Sequence, residues 1–382
     1  MGASVALSDD TGPFSPLTFK SGVGFLEPNS LYSLNLRFRA QLGVFGATKG
    51  AEPASISGQV RRLRLRLFGH AATPSLLYTI QFSFSRADMD WDTTGFPNVI
   101  RDAVVVWKPS ETFQLSFGQA KLPGNRQRVV SSGEMQFADR SIVNRAFNID
   151  RDFGLQVNLS GALGVGETRG SARLAISNGE GRNTLNLDDG LAYTARFELL
   201  PLGAFKDNGD YFESDITHEL NPRLSIGAGY SWNSESRRTG GQLGKEFGGG
   251  RTRSLGTAFA DVVFKYRGFS LYAEAMHRHS PNPVVDAAAK LFVLNGFGAL
   301  LQAGYFVSDR WEVVARVAGV RPAPEVEALA DQQTQYTLGI NRFLNGHRVK
   351  LQADLTWNEE VDRGANRSDR NWLGRFQLEL GI

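Results

Sequence analysis

Arg61-Arg-Leu-Arg-Leu-Arg-Leu-Phe68 alternates charged and apolar residues with a period of two. Extended, it places Leu63, Leu65 and Leu67 on one face and Arg62, Arg64 and Arg66 on the other. Three guanidiniums in a row repel one another, and a packed core supplies neither the water nor the counter-charge they need. Residues 31–45 repeat the device, with Leu34, Leu36, Phe38, Ala40 and Leu42 on one face and Asn35, Arg37, Arg39 and Gln41 on the other. As neighbouring strands, the two segments would set Arg37, Arg39, Arg62, Arg64 and Arg66 on one surface.

Two architectures fit an apolar face backed by a charged one. In a soluble sandwich the leucines face a core and the arginines bulk water; in a transmembrane barrel the leucines face lipid and the arginines line an aqueous lumen. The length of 382 residues admits several soluble domains or one large barrel, and no linker divides the chain. No run approaches the ~18 consecutive apolar residues of a membrane helix. Cysteine is absent, which excludes disulfides and thiolate metal sites. The net charge of +3 conceals 33 Arg against 9 Lys, a bias toward the planar fork that binds oxyanions. A nucleic-acid partner is set aside, because neither a recognition-helix pattern nor an aromatic RNA-binding motif is present. The opening Met1-Gly-Ala-Ser-Val lacks the basic and long apolar regions of a signal peptide, so an exported form would have lost its signal before Met1.

Alternating segments then recur to the end of the chain, at 75–86, 98–107, 112–119, 152–160, 170–177, 189–200, 222–232, 255–266, 269–279, 297–307, 311–320, 333–341, 348–358 and 371–382. With the first two they make sixteen. Short turns at 108–111, 267–268, 308–310 and 344–347 alternate with long polar loops such as 233–254, 280–296, 321–332 and 359–370. That rhythm predicts an all-β, sixteen-stranded antiparallel barrel over residues 31–382 with both termini periplasmic, preceded by a periplasmic segment over 1–30. Asp210–Leu220 looks like a strand but would make the count odd, and is assigned to a periplasmic connection. Aromatic residues near strand ends (Trp107, Tyr230, Trp232, Tyr266, Tyr305, Trp311, Trp357 and Trp372) suit interfacial girdles. The inward faces carry Arg196, Glu198, Asp261, Lys265, Glu274, Arg278, Glu312, Arg316, Lys350, Asp354, Arg375 and Glu379.

Residues 120–151 differ from the other connections. They hold Val129, Val130, Met135, Phe137, Ile142, Val143, Phe147 and Ile149, too apolar a set for a solvated loop, together with Lys121, Arg126, Arg128, Arg140, Arg145 and Arg151. A loop of this length with its own buried residues is usually functional. Folded into the barrel, it would set Lys121, Arg126, Arg128, Arg140 and Arg145 at the constriction, with Asp139, Asp150 and Asp152 close enough in sequence to pair with some of them.

Phe117-Gly-Gln-Ala-Lys-Leu-Pro123, Ser131-Ser132, Phe137-Ala-Asp-Arg-Ser141 and Asp150-Arg-Asp-Phe-Gly154 resemble the phosphate-selective porins O and P, in the form common in Bacteroidetes-type bacteria. The resemblance implies a trimeric sixteen-stranded porin of the bacterial outer membrane, with an arginine ladder leading to a constriction at the third loop. It implies passive passage of small anions, phosphate among them, without a cofactor. Trp372–Ile382 is similar to a barrel-assembly signal, ending in Ile rather than Phe.

Other patterns carry less. Asp88, Asp90 and Asp92 alternate as a divalent-ion site would, but Thr93 stands where an EF-hand loop needs Gly, and a solvated rim is the simpler reading. Glu274 faces away from His277 and His279, which argues against a metal there. Gly164-Val-Gly166-Glu-Thr-Arg-Gly170 has the wrong spacing for a dinucleotide loop. A barrel lipase would need a Ser beside a base and an orienting group, and none of the five histidines has one in a recognisable motif. A general non-selective porin, and a porin-shaped adhesin with a plugged pore, remain as alternatives.

Overall fold

A computed structural model describes residues 23–26, 31–48, 54–91, 96–164, 166–184, 190–364 and 367–382. Sixteen strands form the barrel: β1 Ser33–Ala47, β2 Ser55–Ala71, β3 Thr73–Ser83, β4 Ile100–Trp107, β5 Phe113–Lys121, β6 Arg151–Ala162, β7 Arg169–Ser177 and β8 Ala192–Leu200 in the first half. The second half is β9 Arg223–Ser236, β10 Arg253–Tyr266, β11 Phe269–His279, β12 Gly296–Ser308, β13 Trp311–Pro322, β14 Gln332–Asn345, β15 Val349–Asp362 and β16 Arg367–Gly381. Each pairs antiparallel with its sequence neighbour. β16 closes on β1 from Leu373 opposite Ala47 to Gly381 opposite Arg39, so no edge is left unpaired within the bilayer. The expected N-terminal segment lies almost wholly outside the described residues; Val23–Leu26 pairs with the start of β1, Val23 opposite Leu36.

The alternation fixes which face meets lipid. Phe117, Leu155, Phe197, Leu301, Leu338, Leu355 and Phe376 are exposed on the outer wall. All twelve charged residues expected inward on β8–β16 are buried in the lumen. The tight turns lie on one rim. At Arg267-Gly268 both residues have positive φ, 47° and 83°, the geometry whose twist matches a two-residue hairpin. Asp210–Leu220 is no strand. Its connection leads from β8 to β9 through a 3₁₀ turn, Lys206–Tyr211.

Among the register shifts of the barrel, two fall at a pair of adjacent charged residues. Between β1 and β2 the register shifts so that Gln41 faces Arg62 and Leu42 faces Val60, which leaves Arg61 as the extra residue of a β-bulge. Between β3 and β4 it shifts so that Gln81 faces Asp102 and Phe82 faces Ile100, which leaves Arg101 as the extra residue. A bulge re-aims one side chain without breaking the strand. Arg61 consequently reaches Asp139 inside the lumen at 2.5 Å, and Arg101 reaches Asp88 at 2.9 Å.

Candidate functional site

The third extracellular connection, residues 122–150, folds into the barrel and carries two short helices, α1 Arg126–Val129 and α2 Ile142–Phe147. Ser141 caps α2, its Oγ accepting from the Asn144 backbone N–H at 3.2 Å. The apolar side chains decide where the loop sits. Val143, Phe147, Ile142 and Ile149 pack with Phe259, Tyr272, Met276, Leu300 and Val320 of β10–β13 in one buried cluster. Phe147→Ala would empty a site of the kind that costs about 3–5 kcal/mol.

Charged groups of β11, β13 and β15 satisfy the loop's polar atoms. Lys350 donates to Met135 O at 2.6 Å, Arg278 to Phe147 O at 3.0 Å and Arg316 to Asp139 O at 3.1 Å. Asp354 accepts from the Ala138 N–H at 3.2 Å, and Glu274 from Asn125 Nδ2 at 3.1 Å. Arg126, only 1% exposed, pairs with Asp261 at 2.5 Å and with Glu198 at 2.8 Å. Of the proposed constriction cations, Arg126 is therefore a loop anchor. Arg145 is exposed and meets Gln333 at 3.3 Å.

Of the other three, Arg128 and Arg140 face the opposite wall, and Lys121 is the last residue of β5 on that wall. Between the loop and β1–β6 lies a cavity of about 380 Å³ whose basic lining is Arg39, Arg64, Arg66, Arg101, Lys121, Arg128, Arg140 and Arg151, with Asp102 as its one acid. Strand register explains the concentration: Arg37 stands opposite Arg66 and Arg39 opposite Arg64. Like charges directly opposite destabilise a strand pair, so nearby acids are used to hold them. Asp88 accepts both Arg64 Nε and Arg64 Nη2 at 2.6 Å, Arg101 at 2.9 Å and Ser83 Oγ at 2.6 Å, while Arg62 lies 3.9 Å away. Glu379 pairs with Arg39 across the barrel seam at 2.7 Å. Asp150 chelates Arg128, and Arg151 takes Asp102 at 2.8 Å. Burial alone would raise the Asp139 carboxyl, but Arg61 and Arg62 hold it at about 2. Burial opposes ionisation of Asp150 as well, and Arg128 and Arg151 overcome it, keeping its pKa far below the usual range.

Three cavity cations have no carboxylate within ion-pair distance among the described residues. Arg66 donates to Thr79 Oγ1 at 3.3 Å, and Arg140 to the carbonyls of Gln127 and Val130 at 2.7 and 2.9 Å. Lys121 likewise donates to Val129 O at 2.7 Å. Arg62 is buried against Gln41 Oε1 at 2.6 Å and lies outside the cavity lining, and Arg37 is half-buried beyond its edge.

Asp88 and Asp90 serve arginines instead of a divalent ion, Asp90 pairing with Arg182; Asp92 lies outside the described residues. Among the described residues no group of three or more His, Asp or Glu side chains could hold a metal ion. Asp152 does not pair with a loop cation; it accepts the Gly181 N–H at 3.2 Å and that of Gly179 at 2.5 Å.

Residues 206–219 approach the third loop from the opposite rim. Lys265 Nζ donates to Gly209 O and Ser214 O, both at 2.6 Å. Asp215 accepts the Gly268 N–H at 2.7 Å, and Tyr211 OH donates to Glu198 at 2.6 Å.

The family model described as phosphate-selective porin O and P matches residues 33–379. Among solved structures, the outer membrane channel DcaP of Acinetobacter baumannii is similar at 11% identity, over 95% of this chain and 100% of that one, with a TM-score of 0.56. An anion-selective porin from Comamonas acidovorans gives 12% identity, 91% and 100% coverage and a TM-score of 0.55. The trimer form of OmpT from Vibrio cholerae gives 12%, 91% and 99%, and 0.51. A search of curated proteins finds no match. At such identities the structures establish the closed outer-membrane barrel and nothing finer. The match across nearly the whole chain goes further: this protein belongs to the phosphate-selective porin O and P family, the porins of the bacterial outer membrane.

Proposed function

We propose that this porin passes small anions by diffusion along the wall of β1–β6, with phosphate among the permeant ions. The observation that supports the reading is the charge of the cavity beside the third loop, eight basic side chains against one carboxylate. In a narrow tube with low-dielectric walls such an excess raises the local anion concentration and repels cations. Arg39, Arg64 and Arg66 are the wall, with Arg37 and Arg62 at its margins. Arg128 and Arg140 face them from the loop, and Lys121 stands beside them at the end of β5. Because the cations are spread along the route, several weak contacts are offered, and weak contacts release an ion quickly. The family description and the anion-selective neighbour favour the same direction, and the trimer form of OmpT favours a homotrimer in this chain too.

The test is a planar bilayer under a KCl gradient. Replacing Arg64 and Arg66 with Gln is expected to move the reversal potential toward cation selectivity, and an unchanged potential would overturn the reading. Titrating phosphate into chloride sharpens it. Block at low phosphate that disappears in Arg128→Ala/Arg140→Ala marks a preferred site, whereas unchanged chloride current leaves a general anion-preferring porin.

A further inference from the structure

We propose that the periplasmic connection between β8 and β9 is a selectivity element: it seats the third loop and stops the half of the lumen whose charges balance. The buried lumenal acids of β8–β16 are Glu198, Asp261, Glu274, Glu312, Asp354 and Glu379. Against them stand Arg196, Lys265, Arg278, Arg316, Lys350 and Arg375, also buried. An open path along that wall would carry no net preference for anions. Its closure therefore matters as much as the arginines do.

The third loop closes it from one side and residues 206–219 from the other, and the two segments meet. Glu213 N donates to Glu134 O at 3.0 Å. The Glu213 carboxylate accepts the Gln136 N–H at 2.8 Å and Gln302 Nε2 at 2.9 Å. Gln136 Nε2 and Ser214 Oγ donate to the two oxygens of Glu312, at 2.6 and 2.8 Å. Two residues of each segment thus share one network with the wall, and Ser214 is fully buried. Farther along, Arg126 of the loop donates to Asp210 O at 3.0 Å and its guanidinium lies 5.2 Å from the Tyr211 ring centre. A connection serving only as a spacer would need none of this, because Leu199 opposite Ile226 brings the strand ends together and the other hairpins on this rim turn in a few residues.

The conductance part of this proposal stands alone; the selectivity part rests on the arginine wall being the ion path. Residues 203–222 are replaced by an Asn-Gly pair, and barrel folding is checked by heat-dependent gel mobility. Single-channel conductance in KCl is expected to at least double, with the chloride-to-potassium permeability ratio falling toward one. Glu213→Ala/Ser214→Ala, which keeps the connection's length, is expected to show brief excursions to the larger conductance. Parental conductance in both folded variants would overturn the plug. A rise in conductance with an undiminished anion preference would overturn its role in selectivity. If the parent itself showed no anion preference, the reading of the arginine wall would fail while the conductance result still judged the plug.

Discussion

The two halves of the lumen use the same residue types for opposite ends. On β1–β6, Arg64, Arg66, Thr79, Gln81, Ser116 and Gln156 remain half-buried beside open space. On β8–β16 the twelve lumenal arginines, lysines and carboxylates are buried, and their hydrogen bonds hold the third loop and the periplasmic connection. The difference lies in stoichiometry and backbone. Where acids match bases and loop carbonyls and N–H groups are within reach, charges become mortar. Where two bulges turn Arg61 and Arg101 inward, and Arg66, Lys121 and Arg140 meet no carboxylate within ion-pair distance among the described residues, the cavity lining keeps a basic surplus. An arginine in a barrel lumen is therefore not by itself evidence of an ion path.

The sharpest way to break this division is to remove a cation from each side. Arg126→Ala leaves Asp261 and Glu198 facing each other, with Arg196 shared between them and Arg173 on Glu198 as the remaining close cations. Stripping one partner from a buried ionic cluster costs about 3–5 kcal/mol, so urea unfolding from lipid vesicles is expected to shift markedly. Arg128→Ala, at the half-buried rim of the cavity, is expected to cost less. Arg145→Ala, exposed and touching only Gln333 among the described residues, should stay within about 0.5 kcal/mol of the parent. Equal losses at all three positions would erase the distinction between anchor and path.

The complementary change is Arg66→Gln/Arg140→Gln. Neither cation faces a carboxylate, so little stability is at stake, and both line the cavity. The chloride-to-potassium permeability ratio is expected to fall several-fold while the unfolding curve stays in place. The gap between variant and parent should narrow in 1 M salt, where screening acts over about 3 Å instead of about 10 Å at 0.1 M. A salt-independent gap would point to a steric cause.

Sequence carried the frame well because a barrel obeys one rule: lipid tolerates no lumenal residue and alternation has a period of two. Sixteen strands and the closed topology follow from it, as does the placing of Asp210–Leu220 outside the strands. The site was less legible wherever the backbone departs from the rule or a partner lies far along the chain. Arg61 and Arg101 each sit beside a second charged residue, Arg62 and Asp102, and a membrane strand cannot send either of an adjacent charged pair into lipid. That doublet is the signal for a bulge, and it was there to be read. Nothing local, by contrast, separates Arg126 from Arg128. One meets Asp261, 135 residues away, the other Asp150, 22 residues away, and only the folded barrel tells them apart. The inward turn of 206–219 was hidden for the same reason, since Glu213 and Ser214 find Gln302 and Glu312 across the lumen.

The smallest expected effect concerns acid pH and the seat of the periplasmic connection. His347, in the turn between β14 and β15, lies between the rings of Phe212 and Phe343, each 5.4 Å away centre to centre. Burial, then the charges of Lys350 and Lys265, hold its pKa well below the ordinary 6.5. A histidine depressed in this way is neutral in the packed state, and the stability it lends is complete above the ordinary value. As pH falls below about 6.5 the released state takes up a proton more readily than the packed one. The Phe212 contact therefore weakens from about pH 7 to about pH 5, and brief openings to the larger conductance should become more frequent. In His347→Phe, which keeps an aromatic ring and removes the titration, their frequency should not vary with pH over that range. A parent channel whose openings are as rare at pH 5 as at pH 7 would show that this contact does not seat the plug, and would leave its hold to the polar contacts, those of Glu213, Ser214, Asp215 and Lys265 among them.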